Sequence, residues 1–359
     1  MARLMSAILA PFCMLILGAN TGFAWERGEV ETFAVLPDYA PGVPQSAEGL
    51  AVGPDGNIYV PSGGFNADGF VPGPAKLWVF NPHGDLIRTV TLTGTAPPVL
   101  GIAFNPVNGL AFIADLGNGS IFTWNSATNT TQLVQALGAG AGPNAICFDA
   151  AGNAYISDSF QGIIWKTDKV GGNLTQWVPS NPLLTPGAGL NPPFGANGVE
   201  FNHDRSAMFV ANTANHTIIK VPVNANGAAG APVLFTTGIN APDGIAIDRH
   251  DNLWVDANQE DEIVVIDPSA KVIAKLGDFN GISDRGTPRG LLFPASPAFS
   301  RDGKYIYTSN FALNLPFAGA QAAIDSPWTL EVRHFTVSRL KAAIPRLGDR
   351  DQDRDDGRD

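Results

Sequence analysis

One phrase recurs six times along the chain and leaves few folds open to it. Each copy is a short apolar extended run, a polar turn and a second apolar run. The copies begin at 48–52, 100–104, 144–148, 197–201, 243–247 and 296–299. Residues 49, 101, 145, 198, 244 and 297, taken as equivalent, lie 44 to 53 residues apart. That period suits a four-stranded propeller blade with loops of varying length. Third strands are expected at 76–80, 120–124, 162–165, 217–221, 262–266 and 330–337, and fourth strands at 87–92 and 271–276. The sixth copy has no fourth strand, while 30–36 is an extended run left over ahead of the first copy. Joining that N-terminal strand to the last blade closes the ring and removes open sheet edges. The expected fold is all-β, a six-bladed β-propeller forming one domain over residues 25–345.

Composition agrees with many short strands. The chain carries 40 Gly and 28 Pro yet is 45% hydrophobic, which describes a turn-rich protein with a core and not a disordered one. Residues 1–24 read as a secretory signal peptide: Arg3, an apolar run over 4–17, then the small residues around Gly22 and Ala24. The run is shorter than the ~20 residues a spanning helix needs. Phe12 ahead of Cys13 argues against a lipid anchor there. The expected location is secreted, or periplasmic in a bacterium. Removing the leader leaves Cys147 alone, so no internal disulfide is expected, and its apolar neighbours make it a buried small hydrophobe. The formal net charge of −11 argues against nucleic-acid and anionic-membrane partners. Part of that charge sits in residues 346–359, read as a solvated, disordered acidic tail.

In a propeller the first strand of each blade lines the central channel, and the residue ahead of it lies at one mouth. Around the six copies that position reads Glu48, Leu100, Asn144, Asn197, Asp243 and Ser296. Any one Asn or Asp before a turn glycine has an ordinary structural explanation. Four oxygen-bearing side chains on one register ask for a common ligand. Two carboxylates and two carboxamides converging in a channel repel and desolvate one another unless a cation binds. Glu48, Asn144, Asn197 and Asp243 are therefore candidate metal ligands. The all-oxygen set suits a hard divalent ion, calcium first, with magnesium, manganese and zinc as alternatives. The absence of His and Cys from the ring weighs against zinc. Leu100, Asn144, Asn212 and Ser296 are candidate substrate contacts. Of the five histidines only His216 is expected on the mouth side, and neither Ser159 nor Ser309 sits in a nucleophile-elbow sequence.

The motifs Glu48-Gly49, Pro143-Asn144, Ala196-Asn197-Gly198 and Pro242-Asp243-Gly244 resemble the metal-site motifs of the SMP-30/gluconolactonase/LRE-like (regucalcin-type) propellers over roughly residues 45–310. Paraoxonases and NHL-repeat propellers are more distantly similar. The resemblance implies a divalent cation held by the Glu, the Asn of the N-G motif and the Asp of P-D-G, with Asn144 touching metal or substrate. It implies a lactone or ester substrate, with Asp243 assisting proton transfer. The third blade departs from the family, because Ala145 follows Asn144 where an Asp is frequent. The NHL likeness implies the alternative, a non-catalytic ligand- or protein-binding propeller.

Overall fold

The computed structural model describes residues 27–187, 193–314 and 326–344. The leader read at 1–24 and the acidic tail at 346–359 lie outside the described residues. Among the described residues six four-stranded antiparallel sheets form the blades, with two small two-stranded sheets in the connections. Five blades are plain meanders that run outward from the channel. Blade 1 comprises Ala51–Val52, Ile58–Pro61, Lys76–Phe80 and Leu86–Thr91. Blades 2 to 5 open with the inner strands Val99–Phe104, Pro143–Phe148, Ala196–Phe201 and Pro242–Ile247.

Blade 6 is made from both ends of the chain. Its strands are Pro294–Phe299, Tyr305–Asn310 and Thr336–Lys341, and the N-terminal Val30–Val35 forms its outer edge. Glu31 lies opposite Arg339 in that pairing, and the two side chains form an ion pair with Nε donating at 3.1 Å. The closure expected from the leftover strand is thus the one observed. The third strand of this blade is not where the sequence reading put it. Residues 330–337 were expected; the strand is Thr336–Lys341, preceded by the one-turn helix Ser326–Thr329. Register comes from Asn310, whose amide nitrogen donates to Thr336 Oγ1 (2.8 Å) and Ser338 Oγ (2.9 Å).

Apolar side chains pack between blades, one cluster per interface. Tyr59, Leu77 and Val79 of blade 1 meet Ile113, Phe122 and Trp124 of blade 2, for example. Cys147 lies in such a cluster as a free, buried thiol, and burial pushes its pKa up. Among the described residues no helix is long and apolar enough to cross a membrane.

Two local features aim the channel side chains. First, the pairing of inner and second strands slips by one residue at the same place in blades 2 to 6: Pro242 faces Ala257, but Ile245 faces Val255. A bulge of one extra residue bends the strand and re-aims a side chain. Asn144, Asn197 and Asp243 each occupy this slip. Secondly, the glycine after the ring residue meets the next blade's backbone in four blades. A Cβ on Gly49, Gly101, Gly198 or Gly244 would stand 1.9, 2.1, 2.2 or 2.5 Å from the carbonyl oxygen of Leu100, Asn144, Asp243 or Ala295. Only glycine allows that approach.

Candidate metal centre

Those carbonyl contacts, with the packing of the inner strand of blade 3 on that of blade 4 and of blade 6 on that of blade 1, give the order around the channel as Leu100, Asn144, Asn197, Asp243, Ala295 and Glu48. Five of the six positions agree with the sequence reading. The sixth is corrected: Pro294 pairs with Asn310 as Pro242 pairs with Ala257, so Ala295 and not Ser296 stands in the register of Asp243. In blade 6 that position is followed by Ser296 and Pro297, with no glycine to mark the register. Ser296 instead lines a separate, larger cavity of about 470 Å³ farther along the inner strands, together with Gly101, Gly198 and Gly244.

Glu48, Asn144, Asn197, Asp243 and Leu100 line a cavity of about 50 Å³. The four polar residues are 2–4% exposed. Three further polar residues complete the arrangement, all missed in the sequence reading as part of the site. They sit just after the second strands of blades 3, 4 and 5. Asn144 Nδ2 donates to Ser159 Oγ (3.2 Å), Asn197 Nδ2 to Thr213 Oγ1 (3.0 Å) and Asn258 Nδ2 to Asp243 Oδ2 (2.7 Å). The two hydroxyls pass the bond on to the next inner strand. Ser159 Oγ donates to the Ala196 carbonyl (2.7 Å) and Thr213 Oγ1 to the Pro242 carbonyl (2.8 Å). Ser309 Oγ likewise donates to the Glu48 carbonyl. With their amide nitrogens turned to these hydroxyls, Asn144 and Asn197 keep carbonyl oxygens for a ligand. The signal was present in the sequence: each partner follows its Asn or Asp by 15 or 16 residues.

Electrostatics set this cavity apart from a structural polar cluster. Burial, and then the neighbouring Asp243 charge, hold the Glu48 carboxyl well above the ordinary carboxylate range. Burial raises Asp243 to about 7, against the pull of hydrogen bonds from Asn258 and Asn197. Among the described lining residues there is no Lys, Arg or His to neutralise either acid. Glu48 Oε2 and Asn258 Oδ1 are buried without a hydrogen-bond partner. Orphaned buried oxygens are rare in native proteins and ask for a missing partner. A hard cation fits this donor set: two carboxylates, carboxamide oxygens and nothing softer.

The other candidate contacts separate from the site. Asn212 does not line the cavity; its amide nitrogen donates to the carbonyls of Leu183 (2.9 Å) and Thr185 (3.0 Å) and braces the connection ahead of blade 4. His216 accepts from the Ala241 amide through Nδ1 at 2.9 Å, a structural bond.

Fold and site together define a six-bladed propeller whose channel ends in an acidic, carboxamide-lined chamber. The chain belongs to the SMP-30/gluconolactonase/LRE-like family, whose sequence model matches residues 97–277. No curated protein matches the chain. Regucalcin from Agrobacterium tumefaciens, a calcium-binding protein, is 18% identical over 88% of this chain and 97% of its own, with a TM-score of 0.59. A gluconolactonase from Xanthomonas campestris is 13% identical over 83% and 86%, with a TM-score of 0.57. A streptogramin B lyase is 13% identical over 89% and 99%, with a TM-score of 0.56. At these identities the likeness is one of fold, and the lyase among them marks how little a fold fixes a reaction.

Proposed function

We propose that this propeller is a divalent-metal-dependent hydrolase of lactones or esters. Glu48, Asn144, Asn197 and Asp243 would hold the cation, with calcium the first candidate. The observation that carries the reading is the buried Glu48–Asp243 pair with no cationic side chain beside it among the described residues. Family membership supports the lactonase class. A bound divalent ion supplies Lewis acidity to a carbonyl oxygen and makes a bound water a better nucleophile. The chain's own residues do the rest. Asn258 fixes the Asp243 carboxylate through Oδ2, so that a carboxyl oxygen of Asp243 is presented steadily to accept the proton of the attacking water. Ser159 and Thr213 hold the carboxamides of Asn144 and Asn197 in one orientation. The buried chamber keeps bulk water from the reacting carbonyl. Residues 1–24 would direct export, and the domain would run over 25–345.

The test is a panel of lactones and esters on wild type and Asp243→Ala, with and without EDTA. The reading predicts turnover that EDTA abolishes, and a loss of at least about a hundredfold in Asp243→Ala. Equal rates in the two proteins would overturn it. Calcium binding without turnover of any substrate would leave a non-catalytic binding propeller.

A further inference from the structure

We propose that the occupant of the chamber is a lactone or ester with an apolar body, not a polyhydroxylated sugar lactone. This rests on the hydrolase reading above. The chamber has two unlike halves. Its floor is the polar set already described. Its walls are Phe65, Phe194, Phe293, Phe311, Leu100 and Leu313. Among the described lining residues, every side chain able to hydrogen-bond belongs to the floor. The donors of that floor are turned inward, on Ser159, Thr213, Asp243 and the Pro242 carbonyl, and its free oxygens, Glu48 Oε2 and Asn258 Oδ1 among them, are those facing the cation of the reading above.

The walls are built and not incidental. Phe65 comes from the small hairpin Phe65–Asn66 and Gly69–Phe70 after the second strand of blade 1. Phe293 immediately precedes the inner strand of blade 6, and Phe311 follows its second strand. The rings of Phe65 and Phe293 both meet Phe311 edge-on, at 5.8 and 6.1 Å between centroids. These rings cluster with Leu313 and Ala295 as a buried group of their own, apart from the packing between other blades. Leu100 and Ala295 put apolar side chains at two of the six ring positions. Ala145 adds no polar group beside Asn144.

A carbonyl oriented to the floor therefore carries its remaining atoms against aromatic and aliphatic carbon. Hydroxyls on a sugar ring facing those walls would be stripped of water with no side chain to receive them. A site with polar groups matched to a substrate, or lacking them, discriminates through that penalty. In the reaction, the oxygen of one water bonds to the carbonyl carbon and the acyl C–O bond breaks. One proton of the water ends on the alcohol oxygen, which in a lactone stays on the same product molecule, and the other passes by way of Asp243 to solvent, leaving the new acid as a carboxylate.

The experiment compares kcat/KM of the full chain in calcium buffer on δ-decalactone, phenyl acetate and glucono-δ-lactone. At least about a tenfold preference for the apolar substrates is expected, narrowing in Leu100→Asn. Glucono-δ-lactone turned over as well as or better than both would overturn the proposal. If none of the three is turned over, the hydrolase reading is what fails, and calorimetry with δ-decalactam and gluconolactam then decides the occupant's class. Decalactam binding at least about tenfold tighter supports an apolar site. Equal affinity, the reverse order or no binding of either overturns it.

Discussion

Asp243 and Glu48 are held apart from water and close to each other, and that costs the metal-free protein stability. A carboxyl whose pKa is raised in the fold binds its proton more tightly there than in the unfolded chain. The stabilisation is fully present below the unfolded value, near 3.8 for Asp243, and is lost as pH rises through about 7. For Asp243 alone the difference is on the order of 4 kcal/mol at most. Metal-free protein is expected to lose melting temperature between pH 4 and pH 8, and Asp243→Asn to flatten that decline; a decline unchanged in the variant would contradict the placement of this acid. Asn258 acts on the same atom from outside, through its bond to Asp243 Oδ2. Removing such a supporting partner typically weakens metal affinity by about 10–100-fold. Asn258→Ala is expected to do so in a calcium titration, with its circular dichroism unchanged. Unaltered affinity would reduce Asn258 to a packing residue.

The bulge in the inner strands of blades 2 to 6 converts a repeat into a site. It turns Asn144, Asn197 and Asp243 into the channel, and the glycine after the last two lets the next blade's carbonyl close in. Gly198→Ala places a methyl group 2.2 Å from the Asp243 carbonyl oxygen. Backbone must then move, at a cost of about 1–3 kcal/mol, and the Asp243 end of the site moves with it. Urea unfolding should show that loss of stability, and calcium titration of the same variant a weaker site; a variant as stable as wild type would mean that the strands are not locked by this contact. Inner and second strands were legible in the sequence because their apolar runs flank polar turns at a steady period. Two things were not. A one-residue bulge leaves no mark on composition, so Ser296 was taken for Ala295 where the guiding glycine is missing. Ser159, Thr213 and Asn258 were legible as residues but not as partners, because cross-strand pairing and not the repeat itself brings them to the carboxamides and the carboxylate.

At the scale of the molecule, ring closure does two jobs. Val30–Val35 completes blade 6, covering the edge of Thr336–Lys341 and clasping the first blade to the last. It also fixes the distance across the channel on which the Glu48–Asp243 pair depends, since Glu48 opens blade 1 and Asp243 opens blade 5. The ring was legible because a leftover strand at one end matched a missing strand at the other. The aromatic wall was not, because Phe65, Phe194, Phe293 and Phe311 come from connections far apart in sequence with no shared register. Bridging of separate blades by one cation is measured directly by isothermal calorimetry of calcium into metal-free wild type, Glu48→Gln and Asp243→Asn. One site per chain is expected in wild type, and a loss of at least about tenfold in affinity in each variant. No calcium binding in wild type, or equal affinity in all three proteins, would contradict the bridge.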